Sequence, residues 1–166
     1  MGKSEEQKMN AEAELETLSS VIGVELKLEE GAASFEYEGR LVLLRSLPEI
    51  ESWLVYIALS EPGPALPALM PELLKANFLL SASRGGAFSL DPGGALGLNF
   101  LVPTGSGGGQ ALVNALNRAL NTADLWRARI EQLIAENVKK DAARLQTLNE
   151  RGAAEDGAGD YQNMLV

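Results

Sequence analysis

The sequence predicts an α+β fold: one curved antiparallel sheet, helices packed on one side of it, and a long C-terminal helix. Three observations lead there. Apolar residues recur at helical spacing near both ends of the chain and once in its middle. Between those stretches lie short segments that alternate or run apolar, separated by turn signals. Links between neighbouring strands are too short for a parallel crossover, so pairing is antiparallel. Strands grouped beside helices then define α+β.

The elements follow in order. Ser4-Glu5-Glu6-Gln7 has the form of a capping box, and Ala11, Leu15, Leu18 and Ile22 continue as one apolar helical stripe. Gly23 stops that helix, whose opposite face carries Glu12, Glu14 and Glu16. A brief strand is expected at Glu25 to Leu28. Ser34 to Glu38 alternates, Gly39-Arg40 turns the chain, and Leu41 to Arg45 returns. Trp53 to Ser60 is a third strand, rich in β-branched and aromatic residues. Glu61-Pro62-Gly63-Pro64 is a loop, because its prolines fix φ and lack donors. Leu66 to Leu80 reads as a second helix, with Pro67 and Pro71 near its first turn. Ala87 to Leu90 and Ala95 to Val102 form a hairpin through the turn Asp91-Pro92-Gly93-Gly94. From Gln110 the chain is helical for up to forty residues. Residues 1–150 read as a single domain. Residues 151–166, with Gly152 to Asp160 and an apolar tip at Met164-Leu165-Val166, read as a flexible acidic tail.

Composition narrows the function. The 166 residues carry a net charge of −9, which repels nucleic-acid phosphates and anionic membranes and favours a partner segment with basic residues. No stretch approaches the roughly 18 apolar residues of a membrane span. With no cysteine, no signal peptide and a polar start, a cytoplasmic protein is expected. Catalysis is expected to be absent. There is no histidine and no cysteine, so imidazole bases, thiol nucleophiles and zinc sites are missing. Adjacent acids such as Glu29-Glu30 do not share a face, so no metal or cofactor is anticipated. The loop Gly105-Ser106-Gly107-Gly108-Gly109-Gln110 follows a strand and opens a helix, with Asp124 downstream. A dinucleotide site would need that acid at a strand end and a second parallel strand, and a phosphate loop would need its lysine. All three are absent.

What stands out is apolar surface. Trp53, Val55, Ile57 and Leu59 share one strand face, yet Leu54, Tyr56 and Ala58 make the other apolar too, and Leu41 to Leu44 behaves alike. An antiparallel sheet usually keeps one face wet. Cover from the chain's own helices, a second copy or a client peptide would each answer this.

From Leu66 to about Ile134 the chain resembles the class I chaperones of type III secretion, the Tir-chaperone family. The resemblance lies in the helix Leu66-Pro67-Ala68-Leu69-Met70-Pro71-Glu72-Leu73-Leu74-Lys75-Ala76-Asn77-Phe78, the strand and turn Gly86 to Pro92, the apolar strand to Val102, and Trp126-Arg127 on the last helix. It implies the order α-β-β-β-α-β-β-α and a non-catalytic cytoplasmic homodimer. Such a dimer binds the N-terminal region of a secreted effector as an extended segment, partly by strand addition, and delivers it to the secretion ATPase. On this reading the expected client-binding residues are Leu15, Leu18, Ile22, Phe35, Tyr37 and Leu43. The expected dimer residues are Leu69, Leu73, Phe78, Leu80, Leu98 and Phe100. Ordinary core packing is the competing role for each. Two rival functions stand beside this one: an adaptor of the same fold that binds a folded partner, and an enzyme using carboxylates or a bound cofactor.

Overall fold

The computed structural model describes residues 3–156 apart from Ser106. Its elements are α1 (Lys3–Ile22), β1 (Ala32–Tyr37), β2 (Arg40–Leu47), β3 (Ser52–Ser60), α2 (Leu66–Asn77), β4 (Ala87–Leu90), β5 (Leu96–Pro103) and α3 (Gly109–Asp156). The five strands form one antiparallel sheet in the order β1-β2-β3-β5-β4. The predicted α+β architecture and element order are therefore present. The side chains of Ser4 and Gln7, which the capping box would use, lie outside the described residues.

Alternation sorts the sheet into two faces. Phe35, Val42, Leu44, Val55, Ile57, Phe88, Leu98 and Phe100 point to one face and are buried there with Trp53. Helix α1 contributes Ala11, Leu15 and Leu18 to this core, and α3 contributes a stripe from Leu112 to Leu133. Burying a side chain of this size contributes about 1.5–3 kcal/mol, so this layer dominates stability.

Polar contacts lock the layers together. Glu14, read from sequence as part of a solvated face, is only 5% exposed. Its carboxylate accepts the Trp53 indole N–H at 2.8 Å and the Gly105 backbone N–H at 2.7 Å. One side chain thereby joins α1, β3 and the glycine-rich connector. Asn77 ends α2 against β4. Its side-chain oxygen accepts the Phe88 N–H at 2.8 Å, and its amide donates to the Phe88 carbonyl at 3.2 Å. Phe88 also meets Trp126 edge-on, with centroids 4.6 Å apart, and the Trp126 indole donates to the Ala82 carbonyl.

Three sequence expectations shift. Residues 25–28 belong to no helix or strand; their apolar members pack on the core, but they do not join the sheet. The Ser19 hydroxyl donates to the Val24 carbonyl and accepts the Leu26 N–H. That holds the segment to the end of α1, and a single bridge, Glu29 to Ala32, touches β1. The second helix stops at Asn77, three residues early, and Phe78–Leu80 forms a tight turn with positive φ at Leu79 and Leu80. Finally, α3 runs on to Asp156, six residues into the segment read as a tail. The apolar tip Met164-Leu165-Val166 lies outside the described residues.

Candidate functional site

Strand β1 is an edge of the sheet. Its two-residue turn to β2, Glu38-Gly39, has positive φ at both residues, the geometry that matches strand twist in a hairpin. In such a hairpin alternate residues turn their backbone groups inward and outward. The Glu29–Ala32 bridge fixes the phase: Ala32 exchanges both backbone bonds with Glu29, away from β2. Ser34 and Glu36 share that phase, so their N–H and C=O groups face outward from the edge.

A cleft of about 510 Å³ opens beside this edge, lined by Glu25, Lys27, Glu29, Ala32, Ala33, Ser34 and Leu43. Its lining joins the small or apolar residues Ala32, Ala33, Ser34 and Leu43 to the charged Glu25, Lys27 and Glu29. Lys27 pairs with Glu25 at 2.8 Å. That hydrogen bond and the opposite charge hold the Glu25 carboxyl below its ordinary pKa and raise that of Lys27. At the far end of the hairpin, Arg40 bonds Asp124 of α3 and stands 3.5 Å from Glu38. Asp124 is thus committed to an ion pair, as the Gly105 amide is to Glu14.

The face of the sheet turned away from α1 and α3 is apolar in its centre. Leu43 lies opposite Tyr56, and Leu54 opposite Leu101. Leu41 and Leu101 are exposed, the latter by 59%, and Leu43, Leu54 and Tyr56 are half-buried. Gly97 lies under the Tyr56 ring, where a Cβ would come within 2.0 Å. A second apolar surface stands at the end of α2. Phe78 is 72% and Leu79 79% exposed, and Leu74 and Leu80 are exposed beside them in sequence.

The residues singled out from sequence divide accordingly. Leu15, Leu18 and Phe35 are buried in the protomer core, and Ile22 and Tyr37 pack against it half-buried. Leu43 reaches the cleft. Leu69, Leu73, Leu98 and Phe100 are likewise buried, whereas Phe78 and Leu80 are exposed. The reason is general: the most regular apolar stripe is the one a chain uses for its own core. The buried members lie in the protomer core beneath these surfaces. Leu54 was read from sequence as part of a second apolar strand face, whereas Leu79 and Leu101 were not singled out, because each falls outside the regular apolar period of its segment.

An open strand edge, an apolar sheet face and an exposed helix end are the main surface features of this fold. The chain belongs to the Tir chaperone protein (CesT) family, which it matches over residues 14–127. No curated protein matches it. Solved structures share the fold. The ExsC-ExsE complex aligns with TM-score 0.61 and 21% identity, covering 73% of this chain and 92% of that one. The HopA1-SchA chaperone-effector complex gives 0.56 and 21%, covering 75% and 94%. The heterodimeric ExoU-SpcU complex from the type III secretion system of Pseudomonas aeruginosa gives 0.52 and 22%, covering 71% and 94%.

Proposed function

We propose that this chain is a non-catalytic chaperone of type III secretion. It binds the N-terminal region of a secreted effector as an extended segment in the bacterial cytoplasm and keeps it competent for export. The observation that carries this reading is the open β1 edge with the Ser34 and Glu36 backbone groups facing outward over a cleft. A client strand laid there gains main-chain hydrogen bonds, while alternate side chains enter the cleft towards Leu43. The charged rim of Glu25, Lys27 and Glu29 suits basic client residues, in keeping with the −9 net charge. Family membership supports the reading, as does the likeness to complexes such as HopA1-SchA, named as chaperone with effector.

A homodimer completes the proposal. Phe78, Leu79, Leu80 and Leu74 supply an apolar surface at the end of α2. Leucines at positive φ, as at Leu79 and Leu80, cost about 1–3 kcal/mol each, and burial against a second copy would offset that cost. Hand-over of the client to the secretion ATPase is the final step of the proposal.

The test is Ser34→Pro. Proline removes one outward N–H from an edge strand, where it is otherwise tolerated. Clients are first identified by pull-down from secretion-competent cells, and an N-terminal client fragment is then titrated by calorimetry. The expected result is a loss of affinity of roughly tenfold or more, with the thermal midpoint nearly unchanged. Unaltered affinity, or a client that binds only as a folded domain, overturns the proposal.

A further inference from the structure

The last part of α3 lies beyond residue 127, where the family match ends, and from Val138 to Arg151 every residue is exposed. This stretch is not featureless. At 100° per residue, Val138, Leu145 and Leu148 fall within one ridge, which also carries Asp141 at an angle between those of the two leucines. Lys140, Arg144 and Arg151 fall in a single stripe along one flank of it. They form no salt bridge among the described residues, although the Glu72 carboxyl of α2, held below its ordinary pKa chiefly by its Lys75 hydrogen bond, also feels the Lys140 charge. Residues 138–151 hold four cations (Lys139, Lys140, Arg144, Arg151) and two anions (Asp141, Glu150), an excess of +2 on a chain of net charge −9.

The complement of this surface occurs on the same chain. Opposite its buried stripe, α1 exposes Met9 and Ala13, flanked by an acidic stripe of Glu5, Glu12 and Glu16. The acids are spaced by seven and four residues, the cations by four and seven. Antiparallel alignment therefore brings all three pairs into register at once: Glu16 with Lys140, Glu12 with Arg144, Glu5 with Arg151. In antiparallel helices like flanks meet, and each charged stripe lies on the corresponding flank of its apolar ridge. The same register sets Met9 at the level between Leu145 and Leu148.

The two surfaces cannot meet within one chain. Thr17 of α1 packs at Gly109, the start of α3, and Lys140 lies about 46 Å farther along that helix. Glu5 to Glu16 lie within about 18 Å of Thr17 along α1.

We propose that the α3 extension docks antiparallel on the outer face of α1 of a second copy of this chain. Each copy offers both halves of the contact. The proposal stands apart from the client reading and from the surface at the end of α2.

The chain has no cysteine, so introduced thiols report the contact directly. A Met9→Cys chain and a Leu148→Cys chain are mixed under mild oxidation, and disulfide-linked dimer is followed on gels. The mixed disulfide is expected to form roughly tenfold or more faster than either chain links to itself, because a docked pair has a high effective concentration. Lys140→Glu, Arg144→Glu and Arg151→Glu together on the Leu148→Cys chain should abolish this advantage. Glu5→Lys, Glu12→Lys and Glu16→Lys on the Met9→Cys chain should then restore it. Mixed disulfide forming no faster than the self-linked species, or no recovery with both sets of charges reversed, overturns the proposal.

Discussion

Two side chains show how a single group sets local behaviour here. Glu14 is a buried carboxylate whose oxygens each receive one N–H. Glu14→Ala leaves the Trp53 indole N–H without its acceptor in the core, at a cost of about 2–3 kcal/mol. A urea titration should show the unfolding free energy fall by that amount, with a lower midpoint and an unchanged slope. Tyr56 behaves differently. Its hydroxyl has no hydrogen-bond partner, and burial, then the negative charge of Asp91, raises its pKa above the ordinary 10.0. The folded state holds this proton more tightly than the unfolded chain does. The stability concerned is therefore intact below about pH 10 and is lost as pH climbs through the raised folded value. Tyr56→Phe should be neutral or stabilising by up to about 1 kcal/mol at pH 7. It should also show a shallower loss of stability in alkali, measured by denaturation across pH.

Among the elements, the end of α2 is the most constrained. Asn77 bonds both backbone groups of Phe88, so the side chain acts as a short extra rung beside β4. Asn77→Ala should cost about 1–3 kcal/mol, and near-ultraviolet circular dichroism should register movement of the adjacent Phe88–Trp126 pair. The glycine-rich connector is likewise explained by what it touches. A Cβ on Gly109 would lie 2.1 Å from the Thr17 side chain, so the start of α3 can approach α1 only there. Residues 25–28 illustrate the opposite case. Their alternation is that of a strand, yet Ser19 holds their backbone, and the sheet edge beside them is left open.

At the scale of the whole molecule, the core and the exposed apolar groups occupy separate places. The core lies between α1, α3 and one sheet face, while the exposed apolar groups stand on the other face and at the end of α2. Substituting Phe78→Asp and Leu79→Asp together should leave the protomer folded and shift a dimer towards monomer, read by light scattering after size exclusion. Truncation before Val138 should move the thermal midpoint by no more than about 2 °C at low protein concentration, since nothing from 138 to 151 is buried.

Sequence alone determined the α+β class and the order of helices and strands. Those follow from periodicity, and periodicity is a local property. It named Leu43 for client binding and Phe78 and Leu80 for a dimer, and grouped them with Leu15, Leu18, Leu69, Leu73, Leu98 and Phe100, which the core absorbs. Which apolar residues stay outside was decided only in three dimensions. Two helices cover one face of a two-faced sheet, and nothing in the spacing of Leu54 or Leu101 says which face that will be. The burial of Glu14 and the early stop of α2 at Asn77 belong to the same category. Each depends on a partner far along the chain, Gly105 for the one and Phe88 for the other, that only folding brings within hydrogen-bond reach.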